Sequence, residues 1–374
     1  MLSFWEKQSY LQYNYVVIGA GITGLSTGIS IKEQDANATV AVIERGVLPT
    51  GASTKNAGFA CFGSLTELLS DISAMGEDEM LKLVEARWKG LELLRSRLGD
   101  DAIDLQVKGG YELISQENES CVDQIEYVNA LLESHFPSGV FVLRDDLIDK
   151  FGFNSTRTQH LIFNPFEGQI DTGRMMRSLQ AKAQKLGIDI LVNTMVEELG
   201  EGQVEIKGND GTSLTVKTDQ VAVCTNAFTK SLLPEIKLNP GRGIVLVTKP
   251  LENLPFEGTF HMNEGYDYFR DYYGRLIYGG CRDIAMEKET TDQFGVNDTI
   301  LEELKHRLEE VILGHNEFEI DHVWSGIMAF GQDKRPVVSR IDPYTVAGVR
   351  LGGMGVALGS LIGQQLADLL FVDQ

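Results

Sequence analysis

Six residues near the start of the chain, Gly19-Ala20-Gly21-Ile22-Thr23-Gly24, constrain its fold more than any other stretch, because of what flanks them. The apolar run Val16 to Ile18 stops at Gly19 and reads as a buried strand. Leu25, Ile29 and Ile31 suit a helix leaving the turn, and Thr39 to Ile43 reads as a second strand. Glu44 closes that strand twenty residues after Gly24, and Arg45 follows it.

Each part of this unit has a physical job. Gly19 permits a tight turn, Gly21 lets the backbone approach a pyrophosphate, and Gly24 lets helix and strand pack closely. Phosphates sit on the N–H groups of a helix N-terminus, where the helix dipole also favours negative charge. A carboxylate at Glu44 accepts hydrogen bonds from ribose hydroxyls and repels a 2′-phosphate. A Gly-rich hexapeptide alone is common. With strand, helix, second strand and acid in register, it marks a dinucleotide site, and it leaves FAD and NAD open.

A length of 374 residues exceeds one ordinary core, so two domains are expected. A net charge of -21 argues against nucleic acid or an anionic membrane as partner, since both need a basic patch. It is compatible with a cationic substrate such as a polyamine, although solubility explains it more simply. Cys61, Cys121, Cys224 and Cys281 form no C-x-x-C pair, and the six histidines show no ligand spacing, so no metal is expected. The segment Met1-Leu2-Ser3-Phe4-Trp5-Glu6 is unlike a signal peptide, and no apolar run reaches the about 20 residues of a membrane span. A cytoplasmic location is expected. Nothing in the sequence speaks to oligomeric state.

After Arg45 comes a small, Gly-rich stretch, Gly46 to Ser64, that can lie flat against a ligand because few side chains hold its backbone away. Phe59, Ala60 and Phe62 make it too apolar for a free surface loop. G-A-G-I-T-G, then E-R, then Gly51-Ala52-Ser53-Thr54-Lys55-Asn56-Ala57-Gly58-Phe59 together resemble the D-amino-acid oxidase superfamily of FAD-dependent amine and amino-acid oxidases. Glycine oxidase, sarcosine oxidase and γ-glutamylputrescine oxidase are its members nearest in pattern. The resemblance implies that the stretch from Ser53 to Gly58 runs from the pyrophosphate to the flavin ring. It implies that Met195 and Val196 hold the adenine, and that Thr225-Asn226-Ala227 make a second approach to the pyrophosphate. Gly353, Met354, Gly355, Val356 and Ala357, ahead of a C-terminal helix, would then face the flavin's pyrimidine side, where helix N–H groups stabilise negative charge.

The expected fold is α/β (α+β overall): a Rossmann-like FAD-binding domain with a second, mostly antiparallel β-sheet substrate domain. Residues 1–104, 152–240 and 333–374 are assigned to the first, and 105–151 and 241–332 to the second. Along the chain, 65–98 reads as two helices with Trp88 in the core, 103–115 as two strand pieces joined at Gly109-Gly110, and 119–136 as an amphipathic helix. Residues 174–186 read as a helix stopped by Gly187, 203–218 as a hairpin, and 220–225 as a separate buried strand.

On the substrate side, Gly265-Tyr266-Asp267-Tyr268-Phe269-Arg270-Asp271-Tyr272 is the best candidate strand. Period-two alternation puts Tyr266, Tyr268, Arg270 and Tyr272 on one face, where a cation flanked by tyrosines can hold a substrate carboxylate. Arg282 and His261 are reserves, and routine cross-strand packing is the alternative for the whole strand. Two departures from the family matter. Trp324-Ser325-Gly326-Ile327-Met328-Ala329 lacks the arginine that glycine oxidases use, and Gly352-Gly353-Met354-Gly355 replaces S-G-H-G. The family's covalent flavin cysteine would fall at about Ile327, so FAD is expected to be non-covalent. The resemblance implies oxidation of an amine or amino acid to an imine that water hydrolyses, with oxygen as acceptor giving hydrogen peroxide. A flavin dehydrogenase passing electrons to another acceptor or partner, and a nicotinamide-dependent dehydrogenase, are the rival readings.

Overall fold

In the computed structural model, which describes residues 2–314 and 316–372, two eight-stranded sheets carry the molecule. The first is organised around the strand Gln12–Ile18. It pairs in parallel with Val40–Ile43 on one side and with Ser213–Val223 on the other. Asp189–Leu191 and Thr345–Val349 extend the parallel core outward, and Val337–Arg340 closes one edge antiparallel. All four residues of Val40–Ile43 are buried, as a parallel strand covered on both faces requires.

The eleven-residue strand Ser213–Val223 replaces the hairpin arm and separate strand expected from sequence. Its first half alternates buried and exposed residues while it pairs with Gln203–Gly208, and its last three residues are all buried where it joins the parallel core. A change of environment along one strand looks, in sequence, like two elements.

Helix Ile22–Gln34 is buried from Ile22 through Ile31 between the sheet and the C-terminal helix Gly355–Phe371. Small residues set that distance: a Cβ on Gly363 would lie 2.6 Å from the Ser26 Cβ. Helices Leu65–Met75 and Glu77–Leu98 form as expected and are broken at Gly76, which has φ +86°. Trp88 is half-buried, edge-on to Phe62 and Phe136.

The second sheet is antiparallel except where Thr259–Met262 meets Gly110–Ile114 in parallel. Its core is aromatic, with Phe260 and Phe269 stacked at 4.6 Å between ring centroids. Three local expectations differ. Of 103–115, only Gly110–Ile114 is a strand, while 100–103 is a short helix. Residues 116–124 wind as a 3-10 helix ahead of the α-helix Ile125–Leu132. That segment buries only Cys121, so no apolar stripe packs it into an α-helix. Strand His160–Asn164, expected within the nucleotide-binding part, pairs instead with Gly110–Ile114 and Val142–Leu143 in the second sheet. The chain leaves that sheet at the small ladder of Phe59–Ala60 with Gly168–Gln169. Among the described residues no helix is long and apolar enough to cross a membrane.

Candidate functional site

Two cavities, of about 550 and 390 Å³, share Gly21, Ala52, Ser53, Cys224 and Asn226 in their walls. They form one elongated, two-lobed trough across the carboxyl ends of the parallel strands, where open α/β sheets bind ligands. At the join of the lobes begins helix Ile22–Gln34, whose N-cap, Gly21, supplies no side chain to its amides. The Ser53 hydroxyl accepts from the Ile22 N–H at 3.0 Å, tying the loop after the second strand to this turn. Gly19, at φ +103°, makes the turn, and a Cβ on Gly24 would lie 1.8 Å from the Gly19 carbonyl oxygen. That contact is why the third glycine of the hexapeptide has no substitute.

The smaller lobe is lined by Gly19, Gly21, Glu44, Arg45, Gly51, Ala52, Ser53, Met195, Val196, Thr225 and Asn226. Glu44 is buried, its oxygens accepting from the Ala20 N–H at 3.1 Å and the Gly46 N–H at 2.9 Å. The Arg45 guanidinium lies 3.7 Å over the Phe228 ring. Ala20 thus acts through Glu44. Gly24, Thr54, Gly58 and Ala227 line neither lobe: Thr54 donates to the Pro49 carbonyl, and Ala227 is buried in the core.

The larger lobe takes Gly21, Ile22, Thr23, Asn56, Ala57 and the run Gly353, Met354, Gly355, Val356 and Ala357. Helix Gly355–Phe371 starts there, again with no side-chain cap. Asn226, at φ +45°, accepts the Arg350 N–H at 3.0 Å and fastens this C-terminal turn to the join of the lobes. Helix N-termini at the join and in the larger lobe, with the Glu44 carboxylate in the wall of the smaller lobe, suit a dinucleotide.

Of the substrate-side candidates, His261, Tyr266, Tyr268 and Arg282 line the larger lobe, and Arg270 does not. Alternation along Asp267–Tyr272 holds: Tyr268 and Tyr272 pack on one face with Ala57 and Phe59, and Phe269 enters the aromatic core on the other. Arg270 and Tyr272 share the face of Tyr268 but lie farther along the strand, beyond the cavity, where the Tyr272 hydroxyl donates to Asp171 at 3.1 Å. Of the residues expected on this face, Tyr266 and Tyr268 line the cavity, and Arg270 and Tyr272 do not.

Arg282 instead presents a guanidinium to the lobe, stacked 4.1 Å over the Phe330 ring. Burial pulls its pKa below the usual arginine range, with Tyr266, Glu289 and Asp283 opposing that pull. No residue among those described hydrogen-bonds or ion-pairs with it. Lys55 also lines this lobe, 5.4 Å from the Phe294 ring centroid. Acidic side chains join that lobe's wall. Glu67 and Asp71, one helical turn apart on Leu65–Met75, line it together with Glu264. Asp71 is held by Lys334 at 2.8 Å.

His261 sits in that wall between carboxylates, its Nε2 3.4 Å from Glu167 and its Nδ1 3.8 Å from Glu67. Burial disfavours its charge, but Glu167, Glu67 and Glu112 outweigh burial and push its pKa up to about 9. Cys61, Glu167 and His261 bring potential ligand atoms within 4.8 Å of one another from three distant segments, a convergence that local spacing cannot reveal. Burial lifts the Cys61 thiol well above its ordinary range, so it is a protonated thiol at neutral pH and a poor ligand. Glu67, Asp71, Glu264, Lys55 and Lys334 had not been singled out. The i, i+4 spacing of Glu67 and Asp71 was the only sequence signal that placed any two of them together.

Fold and trough define a dinucleotide-binding protein with a Rossmann-like sheet beside a second, mostly antiparallel one. The chain matches the family model DAO, FAD dependent oxidoreductase, over residues 14–369, and belongs to that family. Its cofactor is FAD, which sets aside the nicotinamide reading. It is 26% identical over 383 residues to a Haemophilus influenzae protein named probable oxidoreductase OrdL, covering 96% of this chain and 82% of that protein. Its fold is similar to that of glycine oxidase from Geobacillus kaustophilus, with TM-score 0.77 at 18% identity over 96% of this chain and 94% of the other. L-proline dehydrogenase from P. horikoshii superposes with TM-score 0.76 at 18% identity, over 96% and 93% of the two chains.

Proposed function

We propose that this chain oxidises the C–N bond of a small amine or amino acid, with FAD held non-covalently along the two-lobed trough. The observation that carries this reading is the larger lobe, where an uncapped helix N-terminus at Gly355 faces a wall bearing Tyr268, Arg282 and His261. Bound FAD would supply a two-electron hydride acceptor for the carbon next to the nitrogen, leaving an imine for water to hydrolyse.

The protein's part is binding, orientation and proton control. Glu44 would take ribose hydroxyls, the N-terminus at Ile22 would take the pyrophosphate, and Met195 and Val196 would hold the adenine. The N-terminus at Gly355 supports negative charge on the ring's pyrimidine side. Arg282, flattened on Phe330, holds a substrate carboxylate, a role first expected of Arg270. Tyr268 and Phe59, edge-on at 5.6 Å, and Met328 keep water from the reacting carbon. His261 with Glu167 stores a proton beside the site.

Oxygen as acceptor, releasing hydrogen peroxide, is the reading preferred. Likeness to a protein named a dehydrogenase favours a second reading, in which electrons pass to another acceptor. The four cysteines are all buried and unpaired, which supports a reducing compartment such as the cytoplasm. A panel of glycine, N-methyl amino acids, D- and L-amino acids and putrescine derivatives, scored by anaerobic flavin bleaching and by peroxide release, tests both. Bleaching with peroxide supports the first reading, and bleaching without peroxide supports the second. Bound flavin that no member of the panel bleaches would overturn amine oxidation.

A further inference from the structure

Arg270 is 3% exposed, and among the described residues its guanidinium makes no hydrogen bond or ion pair, although its backbone is laddered on both sides. Its Nε is without a partner, and its nearest recorded company is the Tyr272 ring, 5.4 Å from the guanidinium carbon. The neighbouring acids are committed elsewhere. Asp271 accepts from Lys108 at 3.0 Å, Gln169 at 3.0 Å and the Gly258 N–H at 2.8 Å. Asp171 takes the Tyr272 hydroxyl and caps the helix Thr172–Lys185. Burying a charge without contact neutralisation is costly, so its retention calls for a compensating function.

Its position supplies one. A Cβ built on Gly58 would lie 3.2 Å from the Arg270 Nη2, and Ala57 and Phe59, on either side of Gly58, line the larger lobe. The guanidinium therefore stands one backbone thickness behind the cavity wall. Gly58 itself is pinned in that wall: its carbonyl accepts the Ile170 N–H at 2.8 Å, and its N–H donates to Asn56 at 2.9 Å. No side chain could replace hydrogen there, because a Cβ would lie 2.3 Å from the Ile170 oxygen. Burial, opposed by Asp271, Tyr272, Asp171 and Asp104, lowers the arginine's pKa to about 10, leaving it charged at neutral pH. Between buried groups such a charge is little screened by salt or solvent.

We propose that Arg270 is an electrostatic positioning residue, whose buried charge behind Gly58 favours the more negative, reduced state of the FAD in the larger lobe. The inference rests on the reading that the flavin ring occupies this lobe. It needs no substrate and no particular electron acceptor.

The test is the midpoint potential of the bound flavin, measured by reduction against reference dyes in the purified holoenzyme. The wild type is compared with Arg270→Met and Arg270→Lys, with flavin content and melting temperature recorded for each. We expect Arg270→Met to keep its flavin with the midpoint shifted to more negative values, and Arg270→Lys to recover most of that shift. Lys249→Met, removing an exposed lysine paired with Glu319, should leave the midpoint unchanged. A flavin-loaded Arg270→Met with the wild-type midpoint overturns the inference. If that variant does not retain flavin, Arg270→Gln against Arg270→Lys makes the same comparison, and equal midpoints overturn it. Because no substrate is present, failure of amine oxidation and failure of this inference are separately visible.

Discussion

The two lobes of the trough are built from different materials. The smaller lobe and the join are made mostly of backbone: the turn at Gly19–Gly24, a helix start with glycine as its N-cap, and one carboxylate whose oxygens are fixed by two amides. The larger lobe is walled by side chains from six or more segments, including Lys55, Glu67, His261, Tyr268, Arg282 and Met328. A backbone site needs glycines at fixed intervals and tolerates almost no substitution. A side-chain site can be rebuilt residue by residue, so one fold serves many substrates. Arg270, in the strand Asp267–Tyr272, and Arg282, in the 3-10 helix Arg282–Ala285, show the difference: twelve positions apart, one stands outside the larger lobe's lining and the other is part of it.

Perturbing the backbone lobe should have the largest effect. Gly24→Val forces a side chain onto the Gly19 carbonyl, since even a Cβ would lie 1.8 Å away. Overpacking of this kind costs about 1–3 kcal/mol or more. The expected outcome is a lowered melting temperature and loss of flavin, read as the ratio of 450 to 280 nm absorbance. A yellow, stable Gly24→Val protein would mean that the join is not the cofactor's anchor.

Glu44→Ala should retain the fold and weaken FAD. Losing one charged acceptor of hydrogen bonds costs about 1.5–3 kcal/mol, or roughly 10- to 150-fold in Kd, readable by titrating the apoprotein with FAD. Unchanged affinity would remove Glu44 from the ribose site.

Arg282→Met probes the side-chain lobe, and it should leave flavin content intact. For a carboxylate-bearing substrate, KM should rise by about 10- to 100-fold, with little change for an amine that lacks the carboxylate. Equal losses for both kinds of substrate would break the assignment and, with it, the contrast between the two arginines.

The smallest effect concerns His261. Its pKa is raised in the folded protein from an ordinary value near 6.5 to about 9. Its stabilising contribution is therefore fully present below about pH 6.5 and is lost as pH rises through about 9. Melting temperature followed from pH 6 to 10 should fall across that window in the wild type and fall less in His261→Gln. Parallel curves would show that the carboxylates around His261 do not hold its proton.

Much of the nucleotide end was legible in sequence because its signals are local. The strand Val16 to Ile18, the glycine spacing and Glu44 all lie within a single βαβ unit, and backbone constraints leave glycine nowhere else to be. The loop from Gly51 to Gly58 and the turn from Gly353 to Ala357 were found by resemblance, and most of their residues do line the trough. The substrate end was legible only in part. Period-two alternation chose the correct face of Asp267–Tyr272, because side chains in any strand alternate. It could not say where along the strand the cavity ends, which depends on what covers that face. His160–Asn164 went to the unexpected sheet for a related reason: strand pairing over some fifty residues is decided by packing partners and not by the strand's own composition.

The sequence by itself determined a dinucleotide turn, the acid that follows it and the alternation of a candidate strand, since each is written in contiguous residues obeying fixed periods. Only the tertiary structure decided that Arg282 reaches the cavity while Arg270 stands behind its wall, and that His261, Glu167 and Cys61 meet. Those facts depend on how separate segments are stacked against one another, and a linear pattern carries no distance between segments that the fold alone brings together.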